Sequence, residues 1–375
     1  MLNKRMNTIT MLGLLFGASA LQAQVPADIE AGLRKIGQIV DPGCTAKLYR
    51  PLMPVNDINS NVTPLYPGVS IARDVLFGPH PKDLVDIFTG DKGGASRTVL
   101  IYVPGGAGNK IEQQVREANA FYDNIGRWAT KNGMVAVLMQ RHPGANWDDG
   151  GRDISVMIQW LQHNIAKYKG NPGRMFLWAH SAGNGPLGTY IGRPELWGPK
   201  GVGVKGAIFM SGQFNVAPLE IPAAGRGRGN FAGTGSSCGG PPQGVSLGPI
   251  AGPSGASPGS AASVAPGLAG ARGGAGRGVA QPSDPATQIV RSSLPELKKT
   301  KVALMFVTAE LDPGIDGKMS AFNQAVHDEL CKEGPSHCPA MLFAKNESHM
   351  SEVFSIDTSD QTVSAPILAW IKRVK

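Results

Sequence analysis

Aromatic residues and charge are both scarce in this chain. Phe, Trp and Tyr make up 6% of its 375 residues, and Asp, Glu, Lys and Arg together 17%. So little charge, beside 42% hydrophobic residues, excludes a mainly disordered chain and leaves apolar material for one large core. Basic residues exceed acidic ones, for a net charge of +8. They are scattered, however, and form no basic stripe interleaved with aromatics. Nucleic acid is therefore not an expected partner, and the charge reads as solubility or weak attraction to acidic surfaces. No apolar run approaches the ~18 residues needed to span a bilayer, so stable membrane insertion is not expected. Cysteine is rare. Cys44, Cys238, Cys331 and Cys338 are the whole set, and no Cys/His spacing suggests zinc. No metal or cofactor is expected.

Glycine (50) and proline (29) are abundant, but the excess is local. Between residues 225 and 280 about a third of positions are Gly, with many Ala, Ser and Pro and few large apolar side chains. Such a segment cannot bury enough surface to offset its ordering entropy, and it lacks the three-residue period of collagen. It reads as a disordered insertion. The first 23 residues read as a cleavable export signal. Lys4 and Arg5 precede an apolar stretch from Ile9 to Phe16, then small residues at Ala18 to Ala20 and again at Ala23, the order such signals require. A secreted or periplasmic protein is expected, in which disulfides are permitted. Cys331 and Cys338, around Gly334-Pro335, are the candidate pair, with two free thiols as the alternative.

The rest, residues 24–375, reads as one α/β domain interrupted by that insertion. Asp83 to Thr89 alternates as a half-exposed strand does. Thr98 to Val103, Met134 to Met139, Arg174 to Ala179, Gly206 to Met210, Val302 to Thr308 and Met341 to Ala344 are short buried strands. Helices are expected around Ile29 to Ile39, Glu112 to Lys131, Ile154 to Ile165 with Asp153 as its cap, after Gly183, Lys318 to Cys331 and Ala365 to Val374. Strands alternating with helices indicate a mostly parallel sheet covered on both faces.

One constellation carries chemistry. Ala179-His180-Ser181-Ala182-Gly183 follows a buried strand and opens a helix. That is the setting of the G-x-S-x-G nucleophile elbow, with Ala in place of the first Gly. Small residues are needed there because the chain turns sharply and the Ser must project. An acid and a His should follow in chain order. Asp312 lies just past one predicted strand, with Glu310 and Asp316 as alternative acids, and His349 lies on the loop after the next. Val103-Pro-Gly-Gly-Ala107 ends an early strand. Its glycines allow backbone N–H groups to face a substrate, so oxyanion donors are assigned to Gly105, Gly106 and the N–H of Ala182. His180 is read as packing beside the elbow. Gly183 to Gly188 also spells G-x-G-x-x-G, but no acidic residue lies from Leu196 to Leu219 to hold a ribose, and a dinucleotide site is rejected.

Tyr102-Val-Pro-Gly-Gly resembles the H-G-G-G segment of the carboxylesterase and hormone-sensitive-lipase-like families, and Ala179 to Gly183 and Glu310 to Pro313 are similar to their elbow and acid turn. His349 to Ser355 resembles the His segment of a bacterial esterase group related to feruloyl esterases and kynurenine formamidases. Gln140-Arg141 with Trp147 to Asp153 is similar to the segment leading toward the elbow. The likeness spans about residues 71–220 and 284–375. It implies an α/β-hydrolase fold and hydrolysis of small carboxylic esters or amides. Pro104 departs from the usual His, and the Gly-rich insertion occupies the slot of a lid. A Ser-His-Asp hydrolase works with a neutral imidazole, so activity is expected to climb with pH through roughly 6–7. The alternatives are an arylformamidase-like amide hydrolase and a non-catalytic binding protein on the same fold.

Overall fold

The computed structural model describes residues 24–54, 66–91, 94–106, 121–141, 148–222 and 284–375. The expected signal (1–23), the Gly-rich insertion (225–280) and the first part of the helix expected from Glu112 lie outside these residues. Eight strands form one sheet: β1 (Val69–Leu76), β2 (Leu84–Gly90), β3 (Arg97–Val103), β4 (Val135–Met139), β5 (Gly170–His180), β6 (Gly206–Met210), β7 (Ala303–Ala309) and β8 (Ala340–Ala344). Their spatial order is β1-β2-β4-β3-β5-β6-β7-β8. The strands from β4 to β8 in this order pair in parallel, and β2 runs antiparallel to both β1 and β4.

The helices are α1 (Ala27–Ile36), α2 (Pro42–Tyr49), α3 (Asp123–Lys131), α4 (Asp149–Asn164), α5 (Asn184–Ile191), α6 (Pro285–Val290), α7 (Leu294–Leu297), α8 (Ala321–Cys331), α9 (Ser351–Phe354) and α10 (Ser364–Arg373). Alternate residues of the buried strands point to opposite faces, so each strand feeds two cores. Leu100, Tyr102, Phe176 and Trp178 join Leu33 of α1, Ile125 of α3 and Ile367 of α10. Val99, Ile101, Leu177 and Phe209 join Ile154 of α4, Leu187 of α5 and Val326 of α8. Both faces are thus covered, as continuous Val/Ile/Leu-rich strands require.

One sequence expectation is corrected. Asp153 does not cap α4, which begins a turn earlier at Asp149. Gly150 and Gly151 lie where added Cβ atoms would sit 2.6 Å from Pro186 and from Thr189. They are helical because the first turn of α4 packs directly on α5. The structure also adds β1, a strand not among those expected from the sequence, around Arg73 and Asp74. Arg73 spans the fully buried carboxylates of Asp86 and Asp123 at 3.0 and 2.6 Å, so this polar residue belongs to the sheet. The Cys331–Cys338 pair is joined by a disulfide, its Cα atoms 4.5 Å apart, and Cys44 is disulfide-bonded as well. Among the described residues no helix is long and apolar enough to cross a membrane.

Candidate active site

The carboxyl ends of β3, β5, β7 and β8 deliver the site. β5 is fully buried over its last residues, and its end at His180 passes directly into a single helical turn, Ser181–Gly183. Ser181 adopts φ +52°, a conformation costly to any residue with a Cβ and characteristic of strained functional turns. The surroundings hold it there. Asn184, fully buried, donates to the Ser181 carbonyl at 2.9 Å and to the Met210 carbonyl at 2.8 Å, tying the elbow to the end of β6. Gly183 has no room for a side chain, since a Cβ would lie 2.6 Å from the Val103 carbonyl oxygen.

Two loops bring the remaining groups. Asp312 lies three residues beyond β7 and His349 five beyond β8, both more than nine-tenths buried. Their loops are laced together, with Glu310 N–H donating to the Ala344 carbonyl at 3.0 Å and Leu311 N–H to the Glu347 carbonyl at 2.8 Å. His349 Nδ1 meets Asp312 Oδ1 at 2.7 Å, and His349 Nε2 meets Ser181 Oγ at 2.8 Å. A carboxylate only accepts, so Nδ1 carries the proton and Nε2 is left to accept from the hydroxyl. The alternative acids go elsewhere. Glu310 accepts from the Asn346 N–H at 2.6 Å and faces Arg34, and Asp316 is exposed.

The oxyanion candidates adjoin the elbow. A Cβ on Gly105 would lie 2.8 Å from Ser181 Cβ, so only Gly lets the loop rest on Ser181. Gly106 turns away at φ +55°. Ala182 follows Ser181 in the same helical turn. Arg141 was noted in the sequence only as part of a family-like segment, yet it holds this loop. From just beyond β4 its Nε donates to the Pro104 carbonyl at 2.7 Å and its Nη2 to the Gly106 carbonyl at 2.8 Å. Burial lowers its proton affinity, with the charges of Tyr122 and Asp153 opposing.

His180 lies against the site as expected, but it is more than packing. Its ring centroid is 4.7 Å from that of His349, and its Nε2 donates to the His349 carbonyl at 2.8 Å. Burial and the neighbouring His349 push its imidazole well below the usual range, so it is neutral. Two buried acids that the sequence leaves unmarked lie behind the His loop. Burial, then the charge of Asp360, holds the Glu347 carboxyl well above the usual carboxylate range. Burial, then the charge of Asp312, does the same to Glu352. The described residues offer a second group of metal-ligating atoms at His327, Cys331 and Cys338, but the two sulfurs there are bonded to each other.

No protein-family model matches the chain. It is 25% identical over 122 residues to a probable isoprenylcysteine alpha-carbonyl methylesterase of Arabidopsis thaliana, covering 30% of this chain and 23% of that one. It is 26% identical over 161 residues to the human cocaine esterase, covering 39% and 25%. The matches thus span about a quarter of the length of these curated relatives. Among solved structures, esterase B from Lactobacillus Rhamnosis superposes with a TM-score of 0.53 at 12% identity, covering 93% of this chain and 94% of that one. Strand order, helix placement and this superposition together define the chain as an α/β-hydrolase fold protein.

Proposed function

We propose that this protein is a serine hydrolase that cleaves small carboxylic esters, with Ser181 as nucleophile, His349 as general base and acid, and Asp312 as the carboxylate that orients the imidazole. One observation carries the reading: the unbroken contact from Asp312 Oδ1 through both ring nitrogens of His349 to Ser181 Oγ, at 2.7 and 2.8 Å. A serine hydroxyl is a weak nucleophile until a base within hydrogen-bond reach takes its proton. Here His349 Nε2 takes that proton as Oγ attacks the ester carbonyl carbon. The carbonyl oxygen becomes an oxyanion facing the N–H groups of Gly105, Gly106 and Ala182, each such donor contributing on the order of 10²–10³ in rate. The imidazolium, stabilised by Asp312, then protonates the departing alcohol. Water enters, gives a proton to His349, attacks the acyl-enzyme and releases the acid, which restores Ser181.

The two curated relatives and the Lactobacillus structure are each named an esterase or methylesterase, which agrees with this class of substrate. The test is labelling of purified protein with a fluorophosphonate probe, followed by a panel of nitrophenyl and hydroxycinnamate esters with formanilides beside them. Labelling mapped to Ser181 and ester turnover abolished by Ser181→Ala are expected. A folded protein that neither labels nor turns over any ester overturns the reading and favours a binding protein. Faster turnover of formanilides than of aryl esters moves the substrate class to amides. Export is part of the same proposal, and N-terminal sequencing of the mature protein checks it, with cleavage expected after Ala20 or Ala23.

A further inference from the structure

Glu352 is a fully buried carboxyl beside the triad that ester hydrolysis, as derived above, does not use. It lies on α9, one turn after His349. Its Oε1 is 3.3 Å from His180 Nε2, the atom that donates to the His349 carbonyl. The groups that face it come from every side of the site: His180 from the end of β5, Asp312 from the turn after β7, Glu347 from its own loop, Ser211 from just beyond β6, and Tyr102 from β3. None of these is a lysine or an arginine, and Asp312 already pairs with His349. Two carboxylates in one dry site cannot both keep a charge when a single imidazole serves them.

Resting on the proposed acyl-transfer reading, we propose that Glu352 is a positioning residue of this site: held as the uncharged acid, it braces the His180 ring that anchors the His349 backbone, and it leaves Asp312 as the only anion acting on the imidazole. His180 Nε2 donates to the His349 carbonyl at 2.8 Å, and Glu352 Oε1 lies 3.3 Å from the same nitrogen without accepting a hydrogen bond. The carbonyl bond fixes the tautomer of His180, the contact with Glu352 limits its tilt, and the hydrogen bond and tilted ring contact carry both to the place of His349. Burial and Asp312 both favour the protonated carboxyl at Glu352. A charged Glu352 would add a second anion near the imidazolium and raise the pH at which the base becomes active, so neutrality is itself functional.

The experiment compares the full chain with Glu352→Gln and Glu352→Met, measuring kcat and KM for a nitrophenyl ester from about pH 5 to 9 together with Tm. Glutamine copies the neutral acid, and kcat within about threefold of the parent with an unmoved midpoint of the acid limb is expected. Methionine keeps the volume and removes the polar partner. Replacing a buried polar group by an apolar one of similar shape is often neutral or stabilising. Its Tm is therefore expected to be no lower, while kcat falls about tenfold or more at nearly constant KM, since small misplacement of a catalytic group is costly. A Gln variant whose acid limb moves to lower pH overturns the inference, because Glu352 then carries charge. A Met variant with parental kcat overturns it too, and so does loss of folding in both variants by circular dichroism, which would make Glu352 a scaffold residue. A parent that neither labels nor hydrolyses esters instead defeats the underlying reading, so the two failures are distinct.

Discussion

The Arg141 guanidinium donates through Nη2 to the carbonyl of Gly106 at 2.8 Å and through Nε, on the same edge, to that of Pro104 at 2.7 Å. Two parallel donors on one rigid plane fix the orientation of both peptide groups, and with it the direction of the N–H groups on their far side. Pro104 supplies no N–H and contributes only its carbonyl to this clamp. Lysine can supply charge but not the fork. Arg141→Lys is expected to lower kcat for a nitrophenyl ester by about 10- to 100-fold with little change in KM, the pattern of a lost transition-state contact. An equal fall in affinity alone, with kcat preserved, would show that the clamp serves binding.

Asp312 is the acid paired with His349, and Glu310 is engaged with Asn346. Asp312→Asn keeps the shape but presents an amide to Nδ1 and favours the wrong tautomer. The expected loss in kcat is roughly 10³–10⁴-fold, whereas Glu310→Gln stays within about fivefold. Single-turnover measurements on both variants check the assignment, and reversed sensitivities would transfer the role to Glu310.

Gly183 packs on the backbone of β3. A methyl group there meets the carbonyl oxygens of Val103 at 2.6 Å and Pro104 at 2.9 Å, which are main-chain atoms and cannot swing aside. Gly183→Ala is expected to cost about 1–3 kcal/mol of stability from overpacking and to lower fluorophosphonate labelling of Ser181 even in the folded fraction. Thermal denaturation and labelling kinetics on the same sample separate the two effects, and parental values in both would mean that the elbow and loop separate easily.

Behind the His loop, Tyr49 donates to Asp360 at 2.9 Å and lies 3.4 Å from Glu347, all three fully buried. The fold holds the Glu347 carboxyl protonated at pH values where the unfolded chain, near 4.5, has already released the proton. In that window the folded state binds more protons than the unfolded one, so stability falls as pH rises. Glutamine has no proton to lose. Glu347→Gln is expected to raise Tm relative to the parent, by a margin that widens from about pH 5 to pH 8, with each kcal/mol worth roughly 2–4 °C. A margin that stays constant or reverses with pH would mean that Glu347 is ionised in the fold.

The parallel strands were legible because they are buried on both faces and read as unbroken apolar runs, as in Leu100 to Val103 and Phe176 to Ala179. The chain order of Ser181, Asp312 and His349 was legible because the fold hangs each on the end of a strand. β1 was hidden because its Arg73 is neutralised by Asp86 and Asp123, partners that only the folded sheet supplies. Asp153 looked like a cap because it precedes the apolar Ile154, while the glycines before it look like loop until α5 packs on them. Arg141 gave no signal of its own, since its partners are main-chain carbonyls 35 and 37 positions earlier. Glu347 and Glu352 lie among Asn, Ser and Met in the sequence, and nothing local marks them as buried.

Because β8 lies at one margin of the described sheet and leads into the loop of His349, the imidazole reaches the elbow only once this edge strand has paired. A chain in which β8 has not yet paired would hold its elbow and Gly loop without the base that the proposed function assigns to residue 349. On the proposed reading, activity is therefore tied to completion of the sheet at this one edge.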